Sequence, residues 1–245
     1  MSRNNLIQIY NNTKYLSEKY PKPDKTIKIN DLNLNIIQNI VQNISKPKIK
    51  LFNDDTLVIA KLLYDETKSN ILVLNMASEY KPGGGVENGA MAQEEELFRR
   101  TNYFVSLTQQ FYPLKEFEGV YTKNVLVLKD EYYNIMSPFQ CSFIGIAGIR
   151  KPNLKNYAYN SIDREIMKKK VEMIFKVAIV YGHKNIVLGA LGCGVFGNPP
   201  EEVAEIFNES IKKYKNYFDN IYFAIKSVRD NNYDVFSARI SKKIE

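Results

Sequence analysis

Two short apolar runs, Ile71-Leu72-Val73-Leu74 and Asn185-Ile186-Val187-Leu188-Gly189-Ala190, are each followed by a glycine-rich loop and then by a helical pattern. A run that is apolar at consecutive positions, not at every second one, suits a strand buried on both faces. Such strands need helices above and below the sheet. The rest of the chain supplies them. Residues 5–19 read as an amphipathic helix that stops before Pro21 and Pro23. Residues 26–29 suit a short strand. Asp31 precedes a periodic set (Leu32, Leu34, Ile36, Ile37, Ile40, Val41, Ile44) that predicts a second helix. A strand over 49–52 and a helix over 54–63 come next. Residues 94–108 read as a helix, and 119–128 and 141–149 as strand-like runs. The longest helical pattern covers 162–181, with Gly182 as its C-terminal cap. Asn198 is expected to cap a further helix, with Pro199 at its first position and Glu201 and Glu202 in its first turn. A last strand over 221–225 and a short C-terminal helix complete the pattern.

Strands and helices alternate from about residue 50 onward, which predicts an α/β layered sheet. The chain has 245 residues and no internal repeat or low-complexity linker, so one domain over 1–245 is expected, with 1–50 a helical extension packed on it. No apolar run approaches the roughly 20 residues that span a bilayer. The N-terminus lacks an apolar signal core, so a cytoplasmic location is expected, with nuclear or host-cell intracellular as the alternatives, and no membrane partner. A monomer is the expected state.

Two cysteines, Cys141 and Cys193, are too few for a disulfide framework, and one histidine, His183, makes a zinc site or a histidine-based triad improbable. No metal and no cofactor are expected. Acid–base chemistry must then come mainly from Asp, Glu, Lys or Tyr. The net charge of +7, from 34 Lys and Arg against 27 Asp and Glu, suits either ordinary solubility or attraction to a polyanion. No zinc knuckle or other nucleic-acid motif accompanies it, and no sequence-specific nucleic-acid partner is expected. His183 ends a helix and reads as a cap or a solvated residue.

Loops at the C-terminal ends of strands are where open α/β sheets bind ligands. The first glycine loop contains Gly83, Gly84, Gly85 and Val86. The second is Gly192-Cys193-Gly194-Val195-Phe196-Gly197. Glycine lets backbone N–H groups close on phosphate oxygens, and the next helix N-terminus adds partial positive charge. Neither loop matches the Walker pattern, and Asn198-Pro199 is foreign to the dinucleotide fingerprint. Together the loops suit a diphosphate cradle. Gln93-Glu94-Glu95-Glu96 follows the first loop. Adjacent helical residues point about 100° apart, so one acid can face a ligand while its neighbour faces the protein. Acids favour a helix N-terminus anyway. Beside a phosphate loop, however, they repel the ligand, which points to a catalytic purpose.

Gly83-Gly84-Gly85, seven residues, then Gln93-Glu94-Glu95 resembles the signature of poly(ADP-ribose) glycohydrolases. Asn75-x-Ala77-Ser78, Leu97 with Arg99 and Arg100, and the run Leu188 to Pro200 resemble the microbial-type branch. The resemblance implies a macrodomain fold, a three-layer α/β/α sandwich with a mixed sheet, carrying extra N-terminal helices. It implies that Glu95 is the catalytic acid and that Glu94 supports it at the terminal ribose. Asn75 would contact ribose. Gly84, Gly85 and the second loop would hold the diphosphate. Phe196 would pack on the terminal ribose, and Gly83, Val86 and Gln93 complete the implied substrate site. Leu191 stands where the family often has Trp, and Met76 where an aromatic is common. Both departures touch ligand fit more than chemistry. The implied reaction is hydrolysis of the ribose–ribose O-glycosidic bond in poly(ADP-ribose) from its free end. ADP-ribose and ADP-ribosylated proteins are the implied partners. A mono-ADP-ribosyl hydrolase and a non-catalytic ADP-ribose reader remain the alternatives.

Overall fold

The computed structural model describes residues 1–30, 46–228 and 230–240. In chain order its elements are α1 (Arg3–Ser17), β1 (Ile27–Asn30), β2 (Lys48–Phe52), α2 (Thr56–Thr67), β3 (Ile71–Met76), α3 (Gln93–Arg100), β4 (Glu118–Lys129), β5 (Ile135–Ile146), β6 (Leu154–Lys155), β7 (Ala158–Tyr159), α4 (Ser161–Val180), β8 (Asn185–Leu188), α5 (Pro200–Tyr214), β9 (Asn220–Ala224) and α6 (Asn232–Ile240). The helix expected after Asp31 lies outside the described residues.

Seven strands form one mixed sheet in the order β1-β4-β5-β3-β8-β9-β2. The pairs β5·β3, β3·β8, β8·β9 and β9·β2 are parallel, and β1·β4 and β4·β5 are antiparallel. Residues 1–50 therefore supply both edges of the sheet as well as a helix. β8 and β9 are buried throughout, as their continuous apolar runs require. One face packs on α4, α5 and α6 through Phe175, Phe207, Phe223 and Phe236. The other packs under α1, α2 and α3 through Tyr10, Leu63, Leu97, Phe98 and Phe143. The result is the expected α/β/α sandwich. Among the described residues no helix is long and apolar enough to cross a membrane.

Three local expectations change. The helix expected over 94–108 ends at Arg100, because Thr101 bridges to Val127 and Asn102 exchanges hydrogen bonds with Leu126. An unpaired segment of the bulged β4 edge thus competes for the backbone and wins. Asn198 is not a helix cap. Pro199 occupies the cap, and the Asn198 amide donates to Ile149 O (2.7 Å) and Gly192 O (2.9 Å) and accepts from Tyr159 OH (2.7 Å). These buried carbonyls need a donor. His183 is buried, with Nε2 2.8 Å from the Tyr121 hydroxyl, and its backbone N–H, not its ring, closes the end of α4 on Ala178 O.

Burial pushes the His183 imidazole down to about 4. Unfolded, it titrates near 6.5, so folding must exclude a proton between those values. The contribution of neutral His183 is complete above pH 6.5 and is lost as pH falls towards 4, at up to about 1.4 kcal/mol per pH unit. His183→Asn should therefore flatten the acid limb of the stability profile, as measured by urea unfolding between pH 7 and 4. An unchanged slope would show that His183 is not the group responsible.

Candidate active site

The five parallel strands all run the same way, so the loops after β2, β3, β5, β8 and β9 meet at one edge of the sheet. A cleft of about 560 Å3 lies there. Asp55 and Thr56 line it after β2, Met76 and Ala77 at the end of β3, Gly148 after β5, Gly192, Gly194, Val195 and Phe196 after β8, and Ile225, Lys226 and Asp230 after β9. Open α/β sheets bind ligands at such an edge because strand ends and helix N-termini converge on it.

The second glycine loop is shaped to present backbone donors. Gly192 and Gly197 take left-handed conformations (φ 74° and 77°). A Cβ on Gly192 would stand 2.3 Å from Asn198 Nδ2, so the residue must be glycine. Cys193 N–H donates to Ala190 O, and Gly197 N–H to Gly194 O. Among the described residues, the N–H groups of Gly192, Gly194, Val195 and Phe196 have no protein acceptor. Successive unspent N–H groups in a turn form an anion-binding concavity. The Cys193 thiol, raised by burial, points to Leu191 O.

The first loop spends its donors differently. Gly83 N–H donates to Glu94 Oε1 (3.2 Å) and Gly85 N–H to Glu95 Oε1 (2.8 Å). Gly84 N–H goes to Lys81 O and Val86 N–H to Gly83 O. The loop thus cradles two carboxylates with the groups that could have faced phosphate. Gln93, Gly192, Gly194, Val195 and Phe196 line the cleft, whereas Gly83, Gly84, Gly85, Val86, Asn75, Glu94, Glu95, Cys193 and Gly197 are not among its lining residues.

α3 holds the acids in place. Glu95, at the third helical position, reaches back so that Oε2 accepts from Ala92 N–H (3.1 Å), half of a capping box. Glu94 accepts from Asn75 Nδ2 (3.2 Å), Ser78 N–H (2.7 Å) and Gly83 N–H. The Gln93 amide bonds Met76 N–H and Leu74 O, which pins the helix to the end of β3. Arg99 donates to Ala90 O and pairs with Glu96, and Arg100 pairs with Asp55 at 2.6 Å. Tyr133 OH also donates to Glu96. Among the described residues no group of three or more His, Cys, Asp or Glu is arranged to hold a metal ion.

Glu94 is 3% exposed and Glu95 7%. Burial pushes the Glu94 carboxyl up to about 8, the Glu95 charge adds to this, and its hydrogen bonds oppose it. A carboxyl raised on folding contributes fully below its unfolded value and loses stability as pH climbs through its folded value. Relative to wild type, Glu94→Gln should therefore gain stability as pH rises from 4.5 to 8, by at most about 1.4 kcal/mol per unit. Thermal unfolding of both proteins at three pH values checks this, and a constant difference would refute it.

The description of the microbial-type PARG catalytic domain matches residues 3–130. The chain belongs to that family. Its fold is similar to that of poly(ADP-ribose) glycohydrolase (PARG) from Thermomonospora curvata, with a TM-score of 0.85 at 23% identity, over 96% of this chain and 99% of that one. The same bacterial PARG bound to the inhibitor ADP-HPD gives 0.83, with the same identity and coverage. PARG from Deinococcus radiodurans in complex with ADP-ribose gives 0.77 at 21% identity, over 88% of this chain and 94% of that one. Comparison with curated protein sequences finds no match. At such identities the likeness establishes the PARG macrodomain-like fold.

Within this family member, the cleft residues that sequence reasoning missed include Asp55, Arg100, Tyr133, Lys226 and Asp230. A usable signal existed for three of them. Asp55 caps α2 directly after β2, and Lys226 and Asp230 follow β9, so the strand-end rule reaches all three. Arg100 stands out in sequence only through the family resemblance, and Tyr133 carries no signal, because the β4–β5 turn meets the cleft only in three dimensions.

Proposed function

We propose that this chain hydrolyses the ribose–ribose O-glycosidic bond of poly(ADP-ribose), working from the free end and releasing ADP-ribose. The observation that carries the reading is the pair Glu94–Glu95, locked by glycine N–H groups beside a second loop with unspent N–H groups. The second loop, Gly192 to Gly197, takes the diphosphate, and Phe196 borders the terminal ribose. Glu95, the more exposed acid, passes a proton to the leaving ribose oxygen as the bond to the anomeric carbon breaks. Its carboxylate then takes a proton from the water that attacks that carbon, which restores the acid. Glu94, buried next to Glu95 in the chain, is held by Ser78 N–H and Gly83 N–H and supports the acid. Asn75 donates to Glu94 and fixes its orientation. Gly83, Gly84, Gly85, Val86 and Gln93 serve the site by holding the acids, so their contact with substrate is through the carboxylates they position.

Incubation with poly(ADP-ribose), followed by chromatography of the products, tests the reading. Accumulation of ADP-ribose without intermediate oligomers supports hydrolysis from the free end. Early appearance of oligomers would refute that mode, and a mono-ADP-ribosylated peptide cleaved in preference to polymer would move the substrate class. ADP-ribose binding without any turnover would leave a reader.

A further inference from the structure

Three loops from three strand ends are tied together on one side of the cleft by a single side chain, Arg150. Its Nε donates to Glu79 Oε1 at 2.6 Å, and the guanidinium carbon lies 4.3 Å from the Phe196 ring centroid and 5.3 Å from that of Tyr80. The next residue, Lys151, donates its N–H to Phe196 O at 2.9 Å. Ile149 O, one residue earlier, accepts from Asn198 at the foot of the same glycine loop. On the other side, Glu79 is held by Leu114 N–H, which donates to its carbonyl at 2.8 Å, and Gln109 Nε2 donates to Tyr80 O at 3.2 Å. Ser78, adjacent to Glu79, donates its N–H to Glu94. A continuous chain of contacts thus runs from Phe196 through Arg150, Glu79 and Ser78 to the buried acid.

We infer that Arg150 is a positioning residue that holds Phe196 at the mouth of the cleft and keeps the second glycine loop in register with the carboxylate loop. The inference rests on the proposed reading that Phe196 borders the bound ribose. The Arg150 charge is already engaged by Glu79, so its role is geometric. A planar guanidinium stacks on an aromatic face while its edge grips a carboxylate, and an ammonium cannot do both.

Arg150→Met, Arg150→Lys and Phe196→Leu, alone and combined, separate positioning from direct attraction of substrate. Calorimetry with ADP-ribose should show about a tenfold weaker Kd for Arg150→Met, little rescue by Arg150→Lys, and less than a twofold further loss when Arg150→Met is added to Phe196→Leu. Amide hydrogen exchange of the free protein should accelerate across residues 192–197 in Arg150→Met while the sheet stays protected. Full rescue by Arg150→Lys, or a loss that persists undiminished beside Phe196→Leu, would make Arg150 an anion-binding charge and overturn the inference. Unchanged exchange across 192–197 would overturn it without any ligand. Wild-type protein that binds no ADP-ribose would instead defeat the proposed function and leave the exchange result to decide the role of Arg150.

Discussion

Glu95→Gln is expected to slow ADP-ribose release from poly(ADP-ribose) by roughly 10²–10⁴-fold, the usual worth of a positioned acid–base group. The substitution keeps shape and volume and removes the ionisable carboxyl that can give up and regain a proton. The amide oxygen can still accept from Gly85 N–H. The amide nitrogen would face Ala92 N–H, which loses its acceptor, at a cost of about 1 kcal/mol. ADP-ribose affinity should stay within a few-fold, because the unspent donors of the second loop are untouched. Chromatographic rates and calorimetry on the same preparations separate chemistry from binding. A variant as fast as wild type would remove Glu95 from the mechanism.

Gly84→Ala should cost activity far more than stability. Gly84 has φ 52°, and a Cβ there would stand 2.6 Å from Glu95 Oε1 and 3.3 Å from Glu94 Oε2. The left-handed backbone makes alanine unfavourable by about 1–2 kcal/mol. The clash itself falls on the ends of flexible side chains, which move aside cheaply. The nearer end belongs to Glu95, the proposed acid, and a displacement near 1 Å can cost about 10²-fold in rate. Unfolding should therefore shift modestly while kcat falls by about 10²-fold or more. Equal fractional losses in both, or a large drop in Tm with normal kcat, would show that the loop does not aim the acids.

Much of the architecture is legible in local pattern. β3, β8 and β9 are apolar at successive positions because helices cover both faces of the sheet, and that condition leaves a trace in sequence. The short span of α3 is not legible. Thr101 and Asn102 carry no helix-breaking signal and leave the helix only because the bulged edge of β4 offers them backbone partners. Asn198 fits a capping pattern, yet buried carbonyls at Ile149 and Gly192 claim its amide. His183 reads as a solvated cap until Tyr121, 62 residues away, is seen beside its ring.

The candidate site divides the same way. Sequence pattern and family resemblance single out both glycine loops and the paired acids, because close backbone approach demands glycine and a helix N-terminus tolerates adjacent carboxylates. What each loop does with its N–H groups is decided by tertiary structure alone. Gly83 and Gly85 spend theirs on Glu94 and Glu95, while those of Gly192, Gly194, Val195 and Phe196 have no acceptor among the described residues. The physical reason is that a hydrogen bond depends on which acceptor the fold brings within about 3 Å, and that is set by the packing of α3 against β3, not by the residues of the loop.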